Sequence, residues 1–348
     1  MFMLLLRLQF VLLVAPTVIL GGEQSCSPQT FPGGQTSLSC LAFSPDGRTV
    51  VTGSHEGNPK VWDVSHLQLL QKIEGIEHTT AVAYSRAGTN VAFGNRDGVL
   101  RIWNTADWKE SRVFPKKNPI DFLAYAQDDR TLIAAGSWGE VQLWDVATGR
   151  ELAVLPTSTQ QEIMTALTVS LSGDLLATAW SDGTIRLWDL NVKKERFILK
   201  GHLCSVGTLA FSPNGRAVAS ADEKGIIKLW SPSTGKALAS WSGHEADVKA
   251  LVFTNENFIV SSALDTKIKI WDTTTRHTLL ECRADPNSHS SVYWIASCPT
   301  TKKLIFGSGP GFIMVFTPPD KVWTTTDVQQ HSRPNGNSEA RKASVSHP

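Results

Sequence analysis

The sequence predicts an all-β fold in which seven copies of one unit follow each other along the chain, and three observations lead to this prediction. First, a short phrase centred on tryptophan recurs six times, at steps of 41 to 44 residues. Second, an upstream landmark, usually apolar and followed by a turn, precedes each tryptophan by 18 or 19 residues. Third, Phe312–Phe316 repeats the pattern once more, with Phe316 in the place of the tryptophan. A period of this length indicates a repeat architecture. The six tryptophans are Trp62, Trp103, Trp144, Trp188, Trp230 and Trp271.

Each repeat has the pattern of four short strands separated by turns. In the fifth repeat the apolar runs are bounded by turn-forming residues such as Pro213-Asn214-Gly215. The four predicted strands are Gly207–Phe211, Ala217–Ser220, Ile226–Trp230 and Lys236–Trp241. Four strands in about 42 residues are the size of one propeller blade. We therefore predict a closed seven-bladed β-propeller of four-stranded antiparallel blades over residues 36–323, with a degenerate last blade.

Three sequence motifs make these units resemble WD repeats. They are the turn Ser44-Pro45-Asp46-Gly47, the pairs Gly201-His202 and Gly243-His244, and the Trp-Asp endings. The resemblance covers most of the chain. It implies a closed propeller that serves as a docking platform for other proteins.

In WD repeats a histidine, a serine or threonine, a turn aspartate and the repeat tryptophan form a hydrogen-bonded row inside a blade. The chemistry is reasonable, because a buried indole N–H needs an acceptor. The resemblance places the row as follows: His244, Ser261, Asp265 and Trp271 in the sixth repeat; His202, Ser220 and Trp230 in the fifth, with Lys224 where Asp is expected; Thr178, Asp182 and Trp188 in the fourth; Asp97 and Trp103 in the second, with Phe93 in the hydroxyl position.

Two further tryptophans lie in the turns between the second and third strands of neighbouring repeats. Trp138 is in the third repeat and Trp180 in the fourth. In WD-repeat proteins these turns open on the usual docking face, and exposed aromatic residues are favoured binding anchors. We therefore expect Trp138 and Trp180 to contact a partner. The alternative is that either indole packs against a neighbouring blade and fills the space left by the missing His and Asp.

The main functional prediction is a non-catalytic scaffold that binds a protein or peptide and needs no cofactor or metal. The net charge of +1 argues against a nucleic-acid-binding role, which needs a basic excess. No G-x-S-x-G, P-loop or H-E-x-x-H motif is present. One alternative is a propeller hydrolase or lyase with a central metal, for which Asp121 is the carboxylate to examine. Another is a structural subunit of an envelope complex.

The ends of the sequence suggest localisation and ring closure. Residues 1–22 are mostly apolar and predict a signal peptide, or else an uncleaved membrane anchor or a misassigned start. The protein would then be exported to the periplasm or secreted; otherwise it would be membrane-anchored or cytoplasmic. Residues 23–35 would form a linker or a ring-closing strand. The polar residues 324–348 predict a disordered tail.

The five cysteines show no metal-binding spacing and are expected to be isolated buried thiols. If the chain is exported, a disulfide such as Cys26–Cys40 or Cys282–Cys298 becomes feasible.

Overall fold

The computed structural model is an all-β ring of seven sheets. It describes residues 29–31, 38–115, 118–138, 140–157, 162–283, 291–298, 300–308 and 312–322. Every sheet has four antiparallel strands, so the predicted fold class and the number of blades are confirmed. Residues 1–22 and 324–348 lie outside the described residues. Within the described part of the chain, no helix combines the length and apolarity needed to cross a bilayer.

The strands follow the chain in simple order, and in each blade they are lettered a to d from the ring axis outward. Strand β1 (Gln29–Thr30) precedes the first blade. The blades comprise β2 (Leu38–Phe43), β3 (Thr49–Ser54), β4 (Gly57–Asp63) and β5 (Gln68–Lys72) in blade 1; β6 (Thr79–Tyr84), β7 (Asn90–Asn95), β8 (Leu100–Asn104) and β9 (Glu110–Val113) in blade 2; β10 (Phe122–Tyr125), β11 (Thr131–Ala135), β12 (Val141–Asp145) and β13 (Glu151–Leu155) in blade 3; β14 (Met164–Val169), β15 (Leu175–Trp180), β16 (Ile185–Asp189) and β17 (Lys194–Leu199) in blade 4; β18 (Val206–Phe211), β19 (Val218–Asp222), β20 (Ile226–Trp230) and β21 (Ala237–Ser242) in blade 5; β22 (Val248–Phe253), β23 (Phe258–Ala263), β24 (Lys267–Asp272) and β25 (Thr278–Arg283) in blade 6; and β26 (Val292–Cys298), β27 (Lys303–Ser308) and β28 (Ile313–Phe316) in blade 7. A 3₁₀-helix, Asp320–Val322, follows.

The last blade is completed by the first strand of the chain. Blade 7 has three consecutive strands, and β1 pairs antiparallel with β28 as the fourth, with Thr30 opposite Met314. Phe31 follows β1, is buried, and packs edge-on against Trp62 of blade 1, with ring centroids 5.5 Å apart. The inner strands β2 and β26 are also in contact. Of the two roles considered for residues 23–35, the structure thus gives Gln29–Thr30 that of the ring-closing strand.

The repeat tryptophans lie between blades, which explains why they recur once per unit. Trp271 of blade 6 packs against blade 5 side chains such as Ala219 and Leu229, and Trp230 packs against blade 4 in the same way. Phe316 takes the equivalent position in blade 7, against Val260 and Ile270 of blade 6. Each aromatic residue therefore buries its area at a blade interface, where large apolar side chains contribute most to stability.

The antiparallel meander gives the ring two faces. The turns from b to c and the connections from d to the next a lie on one face, here named the bc face; the turns from a to b lie on the other, the ab face. Four turns on the ab face share one design, in which a serine hydroxyl accepts a backbone N–H five residues later, at 2.9–3.1 Å. These serines are Ser44, Ser85, Ser170 and Ser212. The glycine three residues after each has φ between 67 and 73°, which only glycine adopts without strain.

The cysteine pairings considered from the sequence are not formed. Cys40 and Cys298 are buried free thiols, so neither Cys26–Cys40 nor Cys282–Cys298 is present. Cys282 is disulfide-bonded. Burial raises the pKa of Cys40 to about 12, so it is an unreactive packing residue.

Candidate functional site

Blade 6 contains the complete hydrogen-bonded row. Trp271 Nε1 donates to Ser261 Oγ at 2.8 Å, and Ser261 Oγ lies 2.7 Å from His244 Nε2. On the other side of the imidazole, His244 Nδ1 lies 2.9 Å from Asp265 Oδ2. Asp265 Oδ1 also accepts the backbone N–H of Lys267 at 3.0 Å, which fixes the turn between strands b and c. The row thus ties the third strand, the second strand, the bc turn and the entry to the blade into one unit.

Blade 5 contains an equally complete row, of which the sequence prediction missed only the carboxylate. Trp230 Nε1 donates to Ser220 Oγ at 2.8 Å, and His202 Nε2 lies 2.7 Å from the same oxygen. The missing carboxylate is supplied by Asp222, whose Oδ2 lies 2.7 Å from His202 Nδ1. Lys224, at the position where aspartate was expected, has no part in the row. Asp222 is two residues after the hydroxyl, whereas Asp265 is four residues after it.

The carboxylate of Asp222 also stabilises the bc turn of blade 5. Its Oδ1 accepts the backbone N–H groups of Lys224 and Ile226, both at 3.0 Å. Asn95 has the same role in blade 2, where it stands two residues after Phe93 and accepts from Asp97 and Val99 at 3.0 Å. A side-chain acceptor two residues after the hydroxyl position is therefore the sequence signal that could have identified Asp222.

Blade 4 departs from the expected row. Trp188 Nε1 donates to Thr178 Oγ1 at 3.2 Å, as predicted. Asp182 does not join them, because its Oδ1 accepts the N–H and the hydroxyl of Thr184, at 2.8 and 2.7 Å. The position taken by histidine in blades 5 and 6 is instead used by Trp180, whose Nε1 donates to the same threonine oxygen at 3.1 Å.

The position of Trp180 corrects its predicted role as an exposed anchor. Its side chain is 1% exposed and packs between blades 3 and 4. The guanidinium of Arg186 lies 5.4 Å from its ring centroid. The indole therefore fills the volume that the absent Gly-His pair would occupy, which was the alternative considered from the sequence.

Blades 1 and 2 keep only fragments of the row. In blade 1, Trp62 Nε1 donates to Thr52 Oγ1 at 2.9 Å. In blade 2, Phe93 packs edge-on against Trp103, with ring centroids 5.1 Å apart. Asp97 is exposed in its turn and makes no hydrogen bond to Trp103, so the structure does not bring these two predicted residues together.

The histidine rows are structural elements of the blades. The trio His244, Ser261 and Asp265 has the composition of a hydrolase triad, but a nucleophile must reach its substrate. Ser261 and Ser220 are completely buried, and the histidines lie beneath the surface with them. What the arrangement can do is satisfy the buried indole N–H and fix the bc turns.

Burial of His202 predicts a pH-dependent contribution to stability. Burial lowers the pKa of His202 below its ordinary value of 6.5, and the hydrogen bond to Asp222 offsets this only in part. The unfolded chain therefore takes up a proton below pH 6.5 that the folded chain resists, so stability falls as the pH falls through this window. We expect the gap in unfolding free energy between wild type and His202→Gln to be largest above pH 7 and to shrink towards pH 5.

Urea unfolding at pH 5 to 8 measures this gap. The variant His277→Gln, at an exposed imidazole, controls for the loss of a histidine as such. A gap between wild type and His202→Gln that stays constant or widens on acidification would contradict the prediction.

Asp121 belongs to an inter-blade contact at the bc face. Its Oδ1 accepts from Arg96 Nε of blade 2 at 2.8 Å, and its Oδ2 accepts from the N–H and hydroxyl of Ser137 at 2.9 and 2.7 Å. Burial acts to raise the pKa of Asp121, but these donors outweigh it and the pKa lies below its ordinary value. Asp121 borders a cavity of about 500 Å³ on the ring axis. Among the described residues, no group of three or more His, Cys, Asp or Glu side chains is arranged to hold a metal ion.

The bc face carries the most exposed apolar side chains of the described residues. Leu203 is 92% exposed in the connection into blade 5, and Trp138 is 73% exposed in the bc turn of blade 3. Leu264, Tyr293 and Phe312 are further exposed apolar residues on this face. The two most exposed apolar side chains of the described residues, Leu203 and Trp138, therefore lie on the same face, which is typical of an interaction surface.

The turn that carries Trp138 is firmly held. Ser137, the preceding residue, donates twice to Asp121, and its carbonyl oxygen accepts the N–H of Met164 of blade 4 at 2.8 Å. The backbone beneath Trp138 is thus fixed to two blades while its indole extends into solvent. A rigid aromatic anchor of this kind loses little entropy on binding.

Comparison with known proteins agrees with the geometry. The model of the family described as WD domain, G-beta repeat matches residues 25–63, 149–189, 193–231 and 235–272. Each range spans the first three strands of blade 1, 4, 5 or 6 together with the strand before them, and the structure shows that blades 2, 3 and 7 have the same four-stranded form. Together with the seven-bladed ring, the matches show that the chain is a WD-repeat propeller protein. No curated protein matches the chain.

Proposed function

We propose that this propeller is a non-catalytic scaffold that binds a protein or peptide on its bc face, with Trp138 as the central anchor. Propellers of this family typically act as interaction scaffolds. The observation that carries the proposal is an indole that is 73% exposed on a turn fixed to two blades. Leu203 supplies a second apolar contact on the same face.

The closed ring supports this role physically. Every blade packs against its two neighbours, and the first strand completes the last sheet. The bc turns are therefore held at fixed positions. A fixed array of loops can present a surface without first ordering it, which raises affinity for a given contact area. The buried rows in blades 5 and 6 contribute by fixing their bc turns through Asp222 and Asp265.

Replacing Trp138 by alanine is expected to weaken partner binding at least tenfold, because exposed aromatic anchors at an interface contribute 2 kcal/mol or more. The unfolding free energy should change by less than about 0.5 kcal/mol, since the indole is mostly in solvent. The measurement is affinity capture with mass spectrometry, followed by titration of the purified partner against wild type and Trp138→Ala.

A matched control is Leu238→Ala, at an exposed leucine on the outer strand of blade 5. It should leave capture unchanged. If Trp138→Ala retains every partner at wild-type affinity, or if Leu238→Ala loses the same partners, the bc face is not the docking surface.

A further inference from the structure

The ab face has a cavity on the ring axis that the proposed function does not use. Its volume is about 580 Å³, and its wall is built from the last residues of the inner strands. These are the residues that precede each repeat tryptophan by 18 or 19 positions. The aromatic ones are Phe43, Tyr84, Tyr125, Phe211 and Phe253. The repeat pattern thus places aromatic side chains from five blades around one opening.

A single arginine lies across this opening. Arg86 belongs to the ab turn of blade 2, and its Nη1 donates to the carbonyl oxygen of Leu171 in the ab turn of blade 4 at 2.6 Å. The side chain therefore spans blade 3. The ab turn that contains Arg86 is fixed to blade 3 by Asp129, whose two carboxylate oxygens accept the N–H groups of Arg86 and Ala87 at 2.6 and 2.8 Å.

Among the described residues, Arg86 is the one charged residue in the cavity wall, which includes neither aspartate nor glutamate. The neighbouring carboxylate of Asp129 lies outside the wall and accepts the backbone N–H groups of Arg86 and Ala87. One cation therefore stands at the entrance of an aromatic chamber. A cationic ligand would meet this charge without a carboxylate in the wall to compensate for it.

We propose that the ab-face cavity binds a small carboxylic acid with an aromatic body, the carboxylate at Arg86 and the body among the aromatic rings. The volume lies in the range of small-molecule sites. Aromatic walls bury apolar rings effectively, and the planar guanidinium matches a carboxylate in geometry. The site is on the opposite face from Trp138, so it is independent of the proposed docking surface.

The test uses a matched pair of probes, 4-biphenylcarboxylate and its uncharged analogue 4-biphenylcarboxamide. Calorimetric titration should show that the wild-type protein binds the acid about fivefold more tightly than the amide, the ratio expected for one partly exposed ion pair. In Arg86→Gln the two affinities should become equal. Arg96→Gln, which removes an arginine from the bc face, should preserve the fivefold ratio.

A second variant tests the location of the aromatic body. Thr168 lines the cavity and is half-buried, so Thr168→Phe should reduce the affinity of both probes if they occupy the chamber. Circular dichroism verifies that each variant is folded. The proposal is overturned if neither probe binds, if acid and amide bind equally to wild type, or if the preference for the acid persists in Arg86→Gln.

Discussion

Replacing Asp222 by alanine is expected to lower the unfolding free energy by about 3 kcal/mol, because buried donors left without an acceptor cost about 1–3 kcal/mol each. The variant leaves His202 Nδ1 without its acceptor in a site that water does not reach. It also removes the acceptor for the backbone N–H groups of Lys224 and Ile226. Urea unfolding followed by circular dichroism and tryptophan fluorescence measures the change.

Asp182→Ala is the matched control for this prediction. Asp182 lies in the corresponding turn of blade 4, but it is exposed and its carboxylate accepts from Thr184 and not from the hydrogen-bonded row, so we expect a loss below about 1 kcal/mol. Asp222→Asn should fall between the two, because the amide oxygen can still accept from the turn. Equal losses for Asp222→Ala and Asp182→Ala would show that the blade 5 row does not contribute as the geometry suggests.

Replacing Phe31 by alanine is expected to cost about 3–5 kcal/mol, the range for truncating a buried phenylalanine. Phe31 lies at the junction of blades 7 and 1, where it contacts Trp62 and belongs to the apolar cluster that holds β1 in place. Its loss removes core area and loosens the strand that closes the ring. The same urea experiment measures the effect.

The control for Phe31 is Phe312→Ala, which removes a half-exposed phenylalanine from the bc face of the same blade. This change should cost less than about 0.5 kcal/mol. If Phe31→Ala is equally mild, ring closure does not depend on the segment after β1, and the stability of the ring must come from the inner-strand contact between β2 and β26.

Periodicity predicted the architecture well because the repeat tryptophans perform the same packing task in every unit. Each one packs at an interface between blades, so the interval between tryptophans equals the length of a blade. Phe316 could be recognised as a substitute because an aromatic ring is what the interface requires. Two-residue β1 had no comparable signal, since Gln29–Thr30 is too short to show alternation.

The hydrogen-bonded rows were harder to predict, because they depend on where side chains meet in space. A carboxylate can reach the histidine from two different positions of the bc turn, as Asp222 and Asp265 do. A search at one fixed offset therefore finds only Asp265. Trp180 shows the same limit: an indole next to a turn can lie in solvent or inside the blade, and the absence of a Gly-His pair in blade 4 leaves it space inside.

The pairing of β1 with β28 determines when the protein can finish folding during its synthesis. Residues 29–31 leave the ribosome before the blades do, but their partner strand is translated after all the other strands of the ring, so the two must find each other across the whole propeller. The entropy cost of such a search grows only with the logarithm of the separation. Until it succeeds, β28 presents an unpaired edge to other nascent chains, and this edge is where we expect chaperones to be needed most.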